Sequence, residues 1–337
     1  MSNIENKKLV PKIFFGPMSK IAVDCLVKIT EESEVNIGLL PSRRQIESGK
    51  ISPGYVNNWT TEEFVDYLDG RITVMRDHAG PGQGLLYDDG KASIMADIEC
   101  GISLIHIDPW KCCNSIEEAV DKTSDLMEFS ADISKDVMFE VGTEESISPI
   151  NSTELSCFLE LLKKKTGDLF SRVVFCVVQS GTSIKENKNI GVFNHKRSKA
   201  MCDIVRSHGL LAKEHNSDYL TASDFYLRKA SGVDAFNIAP ELGVLQTATV
   251  LQNLDKFHLI DEKKSFLEAC NASGKWKKWT NRSNLSLEEI SILSGHYNFS
   301  TEEWEKCMQK LDEYLDIEFE IRSAMHKKIT EILWATK

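Results

Sequence analysis

Short apolar runs alternate with longer amphipathic stretches over most of the chain, and each run is bounded by polar residues or by Gly and Pro. Runs of this kind are typical of buried β-strands, while the stretches between them repeat apolar residues at helical spacing. Eight runs begin at Ile13, Val35, Ile72, Ser103, Val137, Val173, Leu210 and Ala235. The pattern therefore predicts eight strand–helix units in succession, with Ser19, Thr60 or Thr61, and Ser115 as helix N-caps.

Eight consecutive strand–helix units favour an α/β fold, namely a single (β/α)₈ TIM barrel. The strands carry nearly continuous apolar runs, as parallel strands buried on both faces do. An open doubly wound sheet is the alternative. Against it, the turn after the first run lacks the Gly-x-Gly-x-x-Gly sequence that binds dinucleotide phosphates in such sheets.

The pattern changes after about Leu254, where the chain becomes helical, charged and rich in Trp. We therefore predict a (β/α)₈ barrel over residues 1–254 and a helical C-terminal appendage over residues 255–337. Apolar residues at helical spacing indicate that the appendage covers the barrel or contacts a second subunit; they are Ile317, Ile321, Met325, Ile329 and Leu333. The basic stretch 275–279 is interpreted as a solvated turn.

The composition limits the classes of partner. A chain of 337 residues with 42% hydrophobic content can bury a large core. A net charge of -11 argues against a nucleic-acid binder, which needs a basic face. It leaves room for a small anionic substrate, because a few local Arg, Lys or backbone N–H groups are enough to bind one.

The cysteines and the apolar runs indicate a cytoplasmic location. The nine cysteines are odd in number, irregularly spaced and without a Cys-x-x-Cys pair, which is typical of free thiols in a reducing compartment. The segment from Met1 to Lys12 is polar and charged, so we predict no signal peptide. No apolar run approaches the roughly 20 residues that span a bilayer, so no membrane partner is expected.

Polar and ionisable residues gather at the carboxyl ends of the predicted strands. These groups are Ser42 to Gln45, Asp77 and His78, His106 and Asp108, Glu140 and Glu144, Gln179, His215 to Asp218, and Asn237. Such side chains are costly to bury unless they are paired or bind something. TIM barrels place their active sites at this end, so the clustering predicts one here.

Two histidines predict a metal site. Asp77 and His78 end the third run just before a Gly/Pro loop, and His215 ends the seventh. Two imidazoles with a carboxylate from the fifth strand, Glu140 or Glu144, suit Zn²⁺ with an open position for substrate oxygens. The alternative for each histidine is a buried, hydrogen-bonded structural role.

The remaining strand-end groups suit an anionic, hydroxylated ligand. The stretch from Gln179 to Thr182, including Gly181, and the pair Asn216 and Ser217 can offer N–H groups and hydroxyls to a phosphate. Arg43 and Arg44 can clamp a second anionic end, or they can be surface residues.

Five short blocks, taken in order, carry a family resemblance. They are Arg76–Pro81, Ile105–Asp108, Val141–Glu144, Val177–Gly181 and His215–Tyr219. Together they resemble the family of the so-called non-catalytic subunit of tagatose-1,6-bisphosphate aldolase. That family is related to class II, metal-dependent aldolases and includes sugar-acid epimerases. The resemblance covers roughly residues 13–254.

The resemblance implies a TIM barrel that acts on phosphorylated ketoses with a divalent metal, expected to be zinc. A metal that chelates the carbonyl and a neighbouring hydroxyl stabilises the enediolate or alkoxide of aldol cleavage or epimerisation. A third histidine of the catalytic aldolases is replaced here by Gln179, so an acidic ligand is expected to compensate. The expected catalytic residues are Asp77 and Glu144; the expected metal ligands are His78, His215 and Glu140; the expected substrate-binding residues are Arg43, Arg44, Gln45, Asp108, Gln179, Gly181, Asn216, Ser217, Asp218 and Asn237.

Three functions stay open at this point. The first is a metal-dependent aldolase or epimerase. The second is a subunit without chemistry of its own that stabilises a partner class II aldolase, which predicts an exposed apolar patch on the appendage. The third is a plain sugar-binding barrel. A homo-oligomer is compatible with the first.

Overall fold

The computed structural model describes residues 10–33 and 35–337 of the chain. The prediction that the polar N-terminus is not a signal peptide falls almost entirely on residues 1–9, which lie outside the described residues.

Eight parallel strands close into a barrel, and each pairs with its neighbours in chain order until the eighth pairs with the first. The strands are β1 (Ile13–Phe15), β2 (Ile37–Leu39), β3 (Thr73–Ala79), β4 (Leu104–Ile107), β5 (Met138–Val141), β6 (Val173–Val177), β7 (Leu211–Glu214) and β8 (Ala235–Ile238). Each lies within one of the eight predicted apolar runs, and the predicted TIM barrel is confirmed.

One helix follows each strand in the barrel. The helices are α1 (Lys20–Glu32), α2 (Thr61–Leu68), α3 (Lys91–Glu99), α4 (Ile116–Ile133), α5 (Ser152–Thr166), α6 (His195–Ser207), α7 (Ala222–Ser231) and α8 (Pro240–Lys256). Ser19, Thr60 and Ser115 accept hydrogen bonds from the first turns of α1, α2 and α4, as predicted N-caps should.

The side chains of the strands form two layers because alternate residues face opposite sides. In β1, Ile13 and Phe15 pack outward against the helices, while Phe14 points into the barrel. Met75, Leu104 and Phe175 join Phe14 in an apolar plug inside the barrel. Residues two positions further along these strands therefore project into the barrel above the plug, towards its carboxyl end.

Four further helices follow the barrel: α9 (Ile260–Ser273), α10 (Leu287–Ser294), α11 (Glu302–Asp312) and α12 (Ile317–Ala335). The last of these packs against α1, α7 and α8, where the helical ring begins and ends. Its five predicted contact residues are all buried, namely Ile317, Ile321, Met325, Ile329 and Leu333. The appendage therefore extends the core of the barrel.

Within the described ranges, no helix combines the length and the apolar content that crossing a bilayer requires.

Candidate metal centre

Asp77 and His78 both reach the cavity at the carboxyl end of the barrel, although they are neighbours in one strand. A regular strand would send adjacent side chains to opposite faces. Here the pairing of β3 with β4 shifts register between Arg76 and Ala79, and His78 adopts a left-handed φ of 46°. This irregularity turns both side chains towards the same space.

Four side chains converge above the apolar plug. Ligand atoms of Asp77, His78, His106 and His215 all lie within 4.8 Å of one another. The ring centroid of His106 lies 4.9 Å from the centroid of His78 and 4.9 Å from that of His215. The structure thus brings together His78 and His215, which the sequence singled out, and adds His106, for which no role was predicted. The alternation of β4 offered a signal, because His106 lies two positions after the inward-facing Leu104.

Each of the three imidazoles has a partner oxygen at one ring nitrogen, and His106 Nδ1 also accepts a long hydrogen bond of 3.4 Å from the His78 amide. His78 Nδ1 lies 2.6 Å from Asp108 Oδ2, and His106 Nε2 lies 3.0 Å from the Gly142 carbonyl oxygen. His215 Nε2 lies 2.6 Å from Glu140 Oε1. Partners of this kind fix the orientation of metal-binding histidines and leave the second nitrogen to the metal.

The other ring nitrogens face Asp77. Its Oδ1 atom lies 3.7 Å from His78 Nε2 and 3.6 Å from His106 Nδ1, too far for hydrogen bonds. This oxygen is buried and has no hydrogen-bond partner among residues 10–33 and 35–337. A buried carboxylate oxygen without a partner is costly, and a cation between it and the imidazoles would satisfy it. The residues present therefore fit a divalent metal ion.

The charges of the cluster oppose one another. Burial disfavours ionised Asp77, but the imidazoles of His78, His106 and His215 outweigh it and hold the pKa of Asp77 well below its usual range. Burial also disfavours a charged His78, yet Asp77 and Asp108 raise its pKa to about 10. Without a metal, the site balances a carboxylate against a protonated imidazole.

Glu140 is not one of the converging ligand groups, contrary to its expected role as a metal ligand. Its Oε1 atom faces His215, and its Oε2 atom accepts a hydrogen bond of 2.8 Å from Lys213 Nζ. All three side chains are buried. Glu140 therefore lies behind the cluster and orients His215. Lys213 is committed to this ion pair with Glu140.

Arg43 is structural rather than an anion clamp. Its guanidinium is fully buried and donates hydrogen bonds to Glu47, Asp88 and the Gly80 carbonyl. These contacts tie the loop after β2 to the Gly/Pro loop after β3. Its neighbour Arg44 lines the cavity together with Gln45. Gln45 Oε1 also accepts hydrogen bonds from Ser42.

Gln179 is not free to bind a ligand. Its amide nitrogen donates to the Thr143 and Ser148 carbonyls, and its oxygen accepts from the Ile150 amide and from Arg197. Four hydrogen bonds use the capacity of the amide. The Gln179 side chain therefore connects the loops after β5 and β6 and has no hydrogen-bonding capacity left for a ligand.

Gly181 and the residues after β7 also have structural contacts. A Cβ atom on Gly181, whose φ is 95°, would lie 2.1 Å from the Val192 carbonyl oxygen. Ser217 is buried and donates to Glu214. Asp218 accepts hydrogen bonds from the amides of Ala239 and Glu241 and so caps α8. The side chains of Ser217 and Asp218, which were expected to bind substrate, therefore make hydrogen bonds within the fold, while the expected contact of Gly181 with a phosphate stays a prediction.

The other predicted residues lie around the cluster. Asp108 stands behind His78, as described, rather than towards a substrate. Glu144 and Asn216 line the cavity and are joined by a hydrogen bond from Asn216 Nδ2 to Glu144 Oε2. Asn237 is buried inside the barrel opposite Phe14, and its amide atoms have no hydrogen-bond partner among the described residues.

The cavity above the cluster has a volume of about 320 Å³. Four of its lining residues belong to the appendage, namely Lys278, Trp279, His296 and Tyr297, and we call them the roof residues. The stretch 275–279 was expected to be a solvated turn; its first part is a short exposed turn, but Lys278 and Trp279 extend over the barrel mouth. The alternation of Lys and Trp in this stretch did not indicate that it lies over the barrel mouth.

No protein-family model and no curated protein matches the sequence. Among solved structures, a probable tagatose 6 phosphate kinase from Sinorhizobium meliloti 1021 aligns at 15% identity with a TM-score of 0.81, over 96% of this chain and 100% of that one. A fructose-bisphosphate aldolase from Campylobacter jejuni aligns at 12% identity with a TM-score of 0.59, over 99% of this chain and 94% of that one. The YdjI aldolase from Escherichia coli K12 aligns at 13% identity with a TM-score of 0.52, over 92% and 93%.

At these identities the similarity concerns the fold. The chain is a TIM barrel whose fold is similar to those of these proteins, which agrees with the fold that the resemblance in the sequence implied. The particular family of the tagatose-bisphosphate aldolase subunit stays a prediction.

Proposed function

We propose that the chain is a metal-dependent enzyme that acts on phosphorylated ketoses, by reversible aldol cleavage or by epimerisation. The observation that carries the proposal is the convergence of Asp77, His78, His106 and His215 within 4.8 Å. Each imidazole is oriented by an acceptor on its far nitrogen, an arrangement that suits metal binding more than simple core packing. The aldolase-like fold supports the same class of reaction.

His78, His106 and His215 are the residues that would hold the metal, with Asp77 beside them. A bound divalent cation would stabilise the negative charge that develops on the substrate oxygens. Zinc suits three imidazoles with a fourth position left open to the substrate. Asp108, Gly142 and Glu140 would keep the imidazoles in place by their contacts with the far ring nitrogens.

Asp77 is the proposed proton acceptor and donor. Its side chain is 15% exposed and borders the cavity, so a substrate carbon or hydroxyl can approach it. The surrounding imidazoles keep it ionised and ready to accept a proton. Glu144, on the same wall, is the proposed second acid–base group, positioned by its hydrogen bonds from Asn216 and Ser146.

A non-catalytic subunit is the second candidate, and one observation favours it. The appendage exposes large apolar side chains, as that function predicts: Ile260, Phe319 and Trp334 are 72%, 62% and 71% exposed. Such side chains are suitable for contact with a partner aldolase chain or with a second copy of this one.

Metal analysis and activity assays separate the two. The purified chain is expected to retain stoichiometric metal and to cleave or epimerise ketose mono- or bisphosphates alone. The subunit function predicts instead no turnover alone and increased stability or activity of a class II aldolase on mixing. Absence of metal binding after addition of Zn²⁺ would contradict the enzyme proposal.

A further inference from the structure

Three cationic side chains border the cavity above the cluster. Arg44 comes from the loop after β2, Lys111 follows β4, and Lys278 is a roof residue. Arg44 is half-buried and Lys278 is exposed, and neither forms an ion pair with a carboxylate in the described part of the chain. The chain has a net charge of -11, yet three cations border one cavity. Like charges repel one another unless an anion lies between them.

The roof is held in place by the loop after β6. The Glu186 amide donates a hydrogen bond of 3.0 Å to the Trp279 carbonyl, and Thr280 Oγ1 donates one of 2.6 Å to Glu186 Oε1. The Tyr297 ring packs against Tyr55, with 4.8 Å between centroids. Lys278 is thus attached to an anchored segment, and the charges of Arg44 and Lys111 are near enough to help burial lower its pKa.

His296 adds an unpartnered polar group to the same wall. It is 1% exposed and borders the cavity, and neither ring nitrogen has a hydrogen-bond partner in the part of the chain that the structure describes. Burial and the nearby Lys278 lower the pKa of His296 to about 3, so the imidazole is neutral. A neutral imidazole has one donor and one acceptor, which matches a hydroxyl group. The Tyr297 ring, 4.2 Å from it between centroids, supplies an apolar surface beside it.

We propose that Arg44, Lys111 and Lys278 form an anion subsite that binds the phosphoryl or carboxylate group of a sugar derivative, with His296 binding one of its hydroxyls. The carboxylates of Asp77 and Glu144 line the same cavity and repel an anionic group, so the anionic end is expected at the three cations. The substrate is therefore oriented with its uncharged carbonyl end towards the metal centre. The identity of the ligand as a sugar rests on the proposed function, whereas the anion subsite does not.

Calorimetric titration of the metal-free full chain tests the subsite without relying on catalysis. The probes are inorganic phosphate and glucuronate, and the variants are Lys278→Gln, Arg44→Gln and, as a matched control, Lys277→Gln. Lys277 is an exposed neighbour in the same turn that does not border the cavity. We expect saturable binding to the wild type, a tenfold or greater increase in Kd for the first two variants, and no change for the control.

The two probes distinguish the sources of the anion: tighter binding of phosphate indicates a phosphorylated sugar, and tighter binding of glucuronate a sugar acid. Unchanged Kd values in Lys278→Gln or Arg44→Gln, or no binding of either anion by the wild type, would overturn the proposal. If the anion binds as expected but the metal-loaded chain has no aldolase or epimerase activity, the subsite stands and the proposed function fails.

Discussion

His215 Nε2 lies 2.6 Å from Glu140 Oε1, a contact that crosses the barrel interior because β6 separates the two strands that carry these residues. Lys213 occupies the other oxygen of the same carboxylate at 2.8 Å. Burial disfavours the Glu140 carboxylate, but Lys213 and the imidazoles of His106 and His215 hold its pKa well below the usual range. The ionised carboxylate therefore accepts a hydrogen bond from His215 Nε2 and directs the other ring nitrogen towards Asp77 and His78.

Glu140→Gln should weaken both folding and metal binding. Loss of the charge leaves Lys213 buried without its counterion, which typically costs about 3–5 kcal/mol of unfolding free energy. Replacing the anionic acceptor of His215 by a neutral amide should reduce zinc affinity about 10- to 100-fold. Urea unfolding and chelator competition measure the two effects. The double variant Glu140→Gln with Lys213→Met should recover much of the stability but not the affinity; recovery of both would contradict the orienting role of Glu140.

Asp77→Asn should remove proton transfer while leaving a side chain of the same shape. We expect kcat to fall by about 10²–10⁴-fold, the usual contribution of a positioned acid–base group. Steady-state assays at matched zinc occupancy measure it. Asp66→Asn, on the exposed face of α2, is the control and should keep the wild-type rate. A full rate in Asp77→Asn would exclude Asp77 as the proton-transfer group.

Zinc affinity should increase with pH. Despite burial, Asp77 and Asp108 raise the pKa of His78 to about 10, so the metal-free site holds a proton on this ring at neutral pH. A metal ligand must be neutral imidazole, so binding releases that proton, and affinity should rise about tenfold per pH unit. Chelator competition between pH 6 and 8 checks this. Affinity independent of pH would show that His78 is already neutral.

Asp218→Asn should change how stability depends on pH. Burial and then Glu241 raise the pKa of Asp218 to about 7. Between pH 4 and 7 the folded state then holds a proton that the unfolded chain releases. The unfolding free energy therefore falls as pH rises, by roughly 1.4 kcal/mol per pH unit for this group. Asn does not titrate but keeps an oxygen for the amides of Ala239 and Glu241.

The difference in unfolding free energy between Asp218→Asn and the wild type isolates this term from the other titrating groups. The unfolding free energy of the variant should increase relative to that of the wild type as pH rises from 5 to 7, and the difference should stay constant above pH 7. A difference that is flat over the whole range would mean that Asp218 is ionised in the folded state throughout.

The sequence was sufficient for the barrel because strand burial leaves a local signature. The runs around Phe14, Phe139 and Phe175 are apolar regardless of what surrounds them in space. The pairing of Asp77 with His78 was also visible, since a polar pair that ends such a run is unusual. His215 could be joined to them because parallel strands in a barrel bring their carboxyl ends together.

The rest of the site depends on contacts that no local pattern encodes. Arg43 and Arg44 are adjacent, yet Arg43 is buried in ion pairs and Arg44 borders the cavity. This difference arises only from the packing of the loop after β3. The sequence indicated that Glu140 lies inside the barrel, but it did not indicate how far Glu140 lies from the metal centre. Lys278 and His296 lie far along the chain from every strand, so nothing in their neighbourhood indicated the cavity.

The roof residues have a consequence for the order in which the pocket is acquired during translation. The ribosome releases all eight strands before it synthesises Lys278 and His296, so the cation-binding half of the pocket can exist while the anion-binding half is still being made. A nascent chain could thus capture zinc early and gain the ability to retain its second ligand only when the late helices dock.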